Sequence, residues 1–128
     1  MKRALNPASA PTSLPYYSQG VEVTDAARLV FVSGQVGVAV DGSVRQGIEA
    51  QSQQAFENLN AVVAEAGLTP DDIVKLTIYL TDPEHLGAFM GAAAASLTDE
   101  PPATTMLFVQ QLGSPDLLVE IEAIAAAS

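Results

Sequence analysis

The stretch PPATTMLFVQQLGSPDLLVEIEAIA, residues 101–125, decides the fold of this chain. Its two prolines cannot donate to a ladder and hold the backbone extended, so the pattern predicts a strand over residues 104–109. Gly113, Ser114 and Pro115 favour a turn. Residues 117–125 predict a second strand, with Glu120 and Glu122 on one face and apolar side chains on the other. Two carboxylates in so apolar a strand require an explanation.

Upstream of this stretch, hydrophobic periodicity predicts two helices and further strands. Residues 48–66 repeat apolar side chains at helical spacing, and Gly67 is typical of a helix end. Residues 73–81 alternate like a strand with one buried face. Asp82 and Pro83 favour the start of a second helix. Residues 21–24 and 28–32 predict a hairpin, whose second strand is apolar enough to be covered on both faces.

The order of these elements predicts an α+β fold, a mixed β-sheet with two helices packed on one face. The prediction divides the chain into an irregular N-terminal arm, residues 1–15, and a single domain, residues 16–128. Two helices can cover only one face of such a sheet. The other face carries polar groups among aliphatic ones, which favours burial against another copy of the chain, and we therefore expect a homo-oligomer.

Composition excludes several classes of function. The chain has no cysteine and one histidine, which rules out thiol nucleophiles, cysteine-ligated metals and multi-histidine metal sites within one chain. Its formal net charge is −10 with only five Lys and Arg residues, so nucleic acid is not an expected partner. No segment has the length and hydrophobicity of a membrane span. We expect a soluble, cytoplasmic protein.

The buried strand of residues 29–32 runs into Ser33, Gly34 and Gln35. A small polar residue and a glycine at a strand end let the backbone approach a ligand or another chain closely. A β-bulge or a simple strand end explains the same residues. Both interpretations stay open from the sequence.

The chain resembles the reactive intermediate deaminase, or Rid, family, also called YjgF-like proteins. The resemblance runs from about Tyr16 to the C-terminus. It rests on YSQG at residues 17–20, LVFVSGQVGV at 29–38, the helical segment QAFENLNAVVAEAGLTPDDIVKLTIYLTD, PPATT at 101–105 and VEIEAIA at 119–125. It implies a chorismate-mutase-like fold assembled as a homotrimer, with ligand clefts between adjacent subunits.

Family members with deaminase activity hydrolyse enamines or imines of amino acids, such as 2-aminoacrylate, to the 2-oxo acid and ammonia without a cofactor. The resemblance makes Glu120 the catalytic residue that positions the attacking water. It also places Tyr17 and Ser33 in the lining of the cleft. In the family, an arginine directly after Pro-Ala binds the substrate carboxylate, because a planar guanidinium matches a carboxylate with two hydrogen bonds.

This sequence departs from the family at that arginine, since Pro102 and Ala103 are followed by Thr104. Without the cation, and with a net charge of −10, the cleft should prefer neutral or cationic ligands to simple carboxylates. Hydroxyl groups at this position could still hydrogen-bond a ligand. The expected ligand-binding set is Tyr17, Ser33, Thr104, Thr105 and Met106.

Three functions remain open from the sequence. The first is a hydrolase of a small reactive enamine or imine, with Glu120 orienting water. The second is a small-molecule binding or sensing trimer that has lost the reaction. The third is a structural trimer without a ligand, in which Glu120 is hydrogen-bonded across a subunit interface.

Overall fold

The computed structural model of the protein describes residues 1–11 and 15–128. Three of its short loops contain single turns of 3₁₀ helix, at Pro70–Asp72, Pro83–His85 and Ala94–Ser96. The described residues form six strands and two α-helices: β1 (Lys2–Leu5), β2 (Gly20–Val23), β3 (Arg28–Val36), α1 (Ile48–Glu65), β4 (Ile73–Leu80), α2 (Leu86–Ala93), β5 (Ala103–Phe108) and β6 (Val119–Ala127). None of the helices in these ranges is both long enough and apolar enough to span a bilayer.

Four strands form one mixed sheet in the order β3-β6-β4-β5. Strand β6 runs antiparallel to both β3 and β4, whereas β4 and β5 run parallel. A parallel pair needs a crossover connection, and α2 supplies it between β4 and β5. Helix α1 packs on β3 and β6 and against α2. The predicted α+β architecture, a mixed sheet with two helices, is confirmed.

The strands alternate as the sequence predicts, which sorts their side chains onto two faces. In β6, Val119 and Ile121 are fully buried under the helices, while Glu120 and Glu122 are half-buried on the opposite face. We call this opposite face the outer face of the sheet. The apolar core lies on the other side, where the rings of Phe56 on α1 and Phe89 on α2 stack with their centroids 5.9 Å apart.

The helix ends follow local sequence chemistry. Gly67, two residues after the end of α1, has a φ of 76°, a left-handed conformation that other residues adopt only with strain, and this confirms the predicted stop. Before α2, a carboxylate oxygen of Asp82 accepts a hydrogen bond from the backbone N–H of Glu84 at 2.9 Å, and Pro83 occupies the first turn. The predicted helix start is therefore also confirmed.

The predicted hairpin of residues 21–24 and 28–32 is wrong. Strand β2 pairs with β1, antiparallel, and β3 pairs with β6 along most of its nine residues. The short spacing between the two runs made a hairpin plausible, but β6 offers β3 a longer apolar partner. Asp25, at a φ of 54°, lies between β2 and β3, which join different sheets.

The N-terminal arm of residues 1–15 is also not irregular throughout, because Lys2–Leu5 is strand β1. An ion pair of 3.2 Å between Arg3 and Glu22 connects this strand to β2. The N-terminal ammonium donates to the carbonyl oxygen of Thr24 at 2.5 Å. Part of the predicted arm, residues 12–14, lies outside the described residues.

The expectation that residues 29–32 are covered on both faces does not hold within one chain. Val32 is buried among core residues. Leu29 and Phe31, however, point to the outer face and are 58% and 71% exposed. The chain thus leaves large apolar side chains uncovered beside the two glutamates.

A buried amide connects α1 to the chain segment that leads into β6. The side-chain N–H groups of Gln51 donate to the carbonyl oxygens of Arg45 (3.0 Å) and Asp116 (2.9 Å), and its Oε1 accepts from the backbone N–H of Leu118 at 2.8 Å. A leucine at position 51 could satisfy none of these groups. One side chain therefore binds two backbone groups of the segment that enters β6.

We expect Gln51→Leu to lower the free energy of unfolding by about 3 kcal/mol, because three backbone groups lose their partner. Urea denaturation followed by circular dichroism measures this change. Gln53→Leu, at an exposed position of the same helix, is the matched control and should be nearly neutral. Equal effects of the two substitutions would show that the buried amide does not stabilise the fold.

Candidate functional site

A cavity of about 370 Å³ lies on the helix side of β4 and β5, and Tyr16 and Tyr17 are among the residues that line it. Of the predicted ligand-binding residues, Tyr17, Thr104 and Met106 line it together. The rest of its wall is mostly apolar, and none of the described residues that line it carries a charge. The main apolar contributors are Phe56, Leu76, Ile78, Phe89 and Met90.

The tyrosine wall of this cavity is fixed to the start of β5. The hydroxyl of Ser18, a buried residue, donates to the carbonyl oxygen of Pro101 at 2.5 Å. Its backbone N–H donates to the carbonyl oxygen of Pro102 at 3.1 Å. The hydroxyl of Thr104 donates to that same Pro102 oxygen, also at 3.1 Å. The proline pair before β5 thus holds the segment that carries the two tyrosines.

The remaining predicted site residues lie on the outer face. Ser33 lines a second depression of about 430 Å³, together with Lys75, Thr77 and Glu122. Thr105 accepts a hydrogen bond from Lys75 Nζ at 2.8 Å. Because successive residues of a strand point to opposite faces, Thr105 lies away from the cavity that Thr104 lines. The sheet itself therefore separates the two groups.

Glu120, the predicted catalytic residue, lies against the backbone of Gly34. A Cβ atom built on Gly34 would be 1.9 Å from Glu120 Oε2 and 2.6 Å from its Cδ. Only a glycine leaves room for the carboxylate in this position. The register of β3 on β6 shifts between Val32 and Gln35, so the β-bulge interpretation of this segment is confirmed.

A second carboxylate on the outer face has a firm partner. The hydroxyl of Tyr79 donates to Glu122 Oε1 at 2.5 Å. This hydrogen bond to the carboxylate raises the pKa of Tyr79 above its usual value of 10.0, and the charges of Glu122 and Glu120 act in the same direction. Glu122 is therefore held by a neighbour in the same chain.

No basic residue near the strands replaces the arginine of the family. A guanidinium N–H of Arg28 donates to the carbonyl oxygen of Ala66, and Arg45 donates to Gln54 Oε1 at 3.1 Å. Lys75 binds Thr105 on the outer face. None of the three lines the cavity at Thr104. Within residues 1–11 and 15–128, no group of three potential metal ligands lies together.

Two features of the site were not predicted from the sequence. The aromatic and methionine wall of the cavity consists of residues that periodicity assigns simply to the core, because a pocket wall and a core have the same apolar pattern. The close contact of Glu120 with Gly34 did have a signal, since a glycine in a strand indicates close approach of another group. The sequence did not identify that group.

A mixed sheet with two helices on one face, a glycine-bearing bulge and a half-buried glutamate in the last strand define a YjgF-like, or Rid-type, domain. The sequence matches the profile of the family described as Endoribonuclease L-PSP over residues 7–127. The chain belongs to this family, which includes the YjgF and Rid proteins.

Relatives with assigned names cover the whole chain. The putative reactive intermediate deaminase TdcF of Escherichia coli K12 is 36% identical over 132 aligned positions, covering 100% of this chain and 99% of TdcF. The 2-iminobutanoate/2-iminopropanoate deaminase of Salmonella typhimurium is 34% identical, with 98% of each chain covered. The crystal structure of the Rid family protein YyfB from Yersinia pestis superimposes with a TM-score of 0.88 at 34% identity, covering 98% of each chain.

Proposed function

We propose that this protein is a hydrolytic deaminase that acts on a small reactive enamine or imine in a cleft between subunits and needs no cofactor. Membership of the family and the names of two relatives, both reactive intermediate or imine deaminases, support the reaction class. The half-buried carboxylate of Glu120, held over Gly34, is the observation on which the proposal depends.

The cleft requires more than one copy of the chain. Thr104 and Met106 face the helices, whereas Glu120 and Ser33 face away from them, so one sheet cannot bring the two groups to one substrate. A second subunit on the outer face would place its own groups opposite Glu120. It would also cover Leu29 and Phe31, which are exposed in one chain. The resemblance to the family suggests a homotrimer.

The chemistry is the addition of water to the imine carbon. Water forms the new C–O bond, its two protons pass to the nitrogen, the C–N bond breaks, and the products are one carbonyl compound and one molecule of ammonia. An enamine reacts in the same way after tautomerisation to the imine. Glu120, as a carboxylate, accepts a hydrogen bond from the attacking water and so directs an oxygen lone pair at the imine carbon. Redox chemistry is not involved, which is why no cofactor is required.

The substitution of Thr104 for arginine sets the expected substrate preference. A hydrogen bond to a charged group contributes about 1.5–3 kcal/mol, so the loss of a bidentate pair should cost at least tens-fold in kcat/KM for a substrate that carries a carboxylate. The typical 2-aminoacrylate activity of the family should therefore be weak in the wild-type protein. RNA is a poor candidate substrate, because a net charge of −10 repels phosphates.

The test is ammonia release from amino-acid imines generated in situ, with semicarbazide trapping the imine that remains. We expect Thr104→Arg to raise kcat/KM for carboxylate-bearing imines by tens-fold over the wild type, because it restores a cation at the start of β5. Thr104→Met is the control, because methionine is similar in length to arginine but uncharged. It should not raise kcat/KM. Silence of both the wild type and Thr104→Arg would contradict the deaminase proposal.

A second candidate function has one observation in its favour. In the part of the chain that the structure describes, the lining of the cavity at Thr104 carries no charged side chain, which suits binding of a small molecule better than turnover of an anion. On this alternative, the protein is a trimer that binds or senses a ligand without catalysis. If Thr104→Arg releases ammonia and the wild type does not, the result would favour this alternative over the first proposal.

A further inference from the structure

We propose that the cavity at Thr104 binds an uncharged, largely apolar compound that has a single hydrogen-bonding group. The inference rests on the proposed function in one respect, because it names the class of substrate for that site. Binding itself can be measured without turnover. It depends on four features of the cavity: the charge of its lining, its size, the hydroxyl of Thr104 and a wall held by hydrogen bonds within the chain.

The lining disfavours any ion. Among residues 1–11 and 15–128, no charged side chain lines the cavity, and its walls come mostly from aromatic, aliphatic and methionine residues. Transfer of a carboxylate or an ammonium group into such surroundings removes its hydration without providing a counter-charge. An apolar ligand body, by contrast, gains from leaving water. The cavity should therefore select against charge in either sign.

The size of the cavity sets the size of the ligand. A cavity of about 150 Å³ holds benzene in an engineered protein, and the cavity at Thr104 measures about 370 Å³. It can thus accept one aromatic ring together with a short side chain, or a branched aliphatic group of similar bulk. The carboxylate-bearing imines with two-carbon or three-carbon bodies would leave much of this apolar wall unfilled.

One hydroxyl of the lining can take part in binding. Thr104 lines the cavity, and its hydroxyl already donates to the carbonyl oxygen of Pro102, so toward a ligand it can only accept a hydrogen bond. It therefore matches a single N–H donor, such as that of an amide or an imine.

The wall of the cavity is held by hydrogen bonds within the chain. Ser18 fixes the tyrosine segment to the carbonyl oxygens of Pro101 and Pro102 through its hydroxyl and its backbone N–H. Two prolines in succession restrict the backbone on the other side. A ligand therefore does not have to order this wall, which lowers the cost of binding.

The test compares two probes that share one body, 3-phenylpropanamide and 3-phenylpropanoate, by isothermal titration calorimetry on the Glu120→Gln protein. We expect the amide to bind at least about tenfold more tightly than the carboxylate, because only the carboxylate loses uncompensated hydration. Thr104→Arg should reverse the preference by improving carboxylate binding about 10–100-fold. Thr104→Met should not reverse it.

Three results would overturn the proposal: equal or tighter binding of the carboxylate when residue 104 is threonine, identical effects of Thr104→Arg and Thr104→Met, or no binding of either probe at millimolar concentration. The two proposals can fail separately. Amide binding without any ammonia release contradicts only the deaminase reaction, whereas rapid turnover of anionic imines without amide binding contradicts only the ligand class.

Discussion

Glu120→Gln is expected to reduce kcat for imine hydrolysis by about 10²–10⁴-fold, the range typical for loss of a positioned general base. The amide keeps the size of the side chain but cannot carry the negative charge that orients the attacking water. The measurement is ammonia release by the wild type, or by Thr104→Arg where that variant is the more active one. KM should change little, because the carboxylate acts on the water rather than on the body of the substrate.

Glu122→Gln is the matched control, since Glu122 lies two residues away on the same face of β6. Glu122 is already engaged by the hydroxyl of Tyr79 at 2.5 Å, so its charge is not available to orient water. Its substitution should lower kcat by less than about threefold unless assembly is disturbed. Size-exclusion chromatography with light scattering measures assembly in both variants. Equal losses of activity in the two variants would argue for a structural role of the acidic outer face.

The fold was predictable wherever one chain segment carried its own signal. The period of α1, its stop at Gly67 and the alternation in β6 depend on local residues, and the structure confirms all three. Strand pairing depends on residues far apart in the chain, and the hairpin of β2 with β3 was wrong for that reason. Nothing within residues 21–32 reveals that β1 competes for β2 and that β6 competes for β3.

The sequence was sufficient to name candidate site residues, but not to place them relative to one another. The resemblance to the Rid family selects Glu120 and the position of Thr104 directly. Alternation shows that Thr104 and Thr105 face opposite ways, but only the packing of α2 shows which of them faces the cavity. The contact between Glu120 and Gly34 joins two strands that lie far apart in sequence. A single sequence gives no information about the distance between two such residues.

Gly34→Ala is expected to lower kcat by about 10²-fold, because an added methyl group must displace the Glu120 carboxylate. This is the second large expected effect. A Cβ at position 34 would lie 1.9 Å from Glu120 Oε2, a distance at which one of the two groups has to move. Misplacement of a catalytic group by about 1 Å can cost this much. The group that moves is the end of a flexible side chain, so the fold should lose no more than about 1 kcal/mol.

The same geometry predicts that the effects of Gly34→Ala and Glu120→Gln on kcat are not additive. In a Glu120→Gln background, the carboxylate is already absent, and Gly34→Ala should lower the residual kcat by less than about twofold. Gly113→Ala, where an added Cβ meets no atom within 4 Å, controls for a change of glycine alone. Independent losses of 10²-fold in each background would mean that Gly34 affects the reaction by a route other than the Glu120 carboxylate. Full activity of Gly34→Ala would show that this carboxylate reacts from a different rotamer.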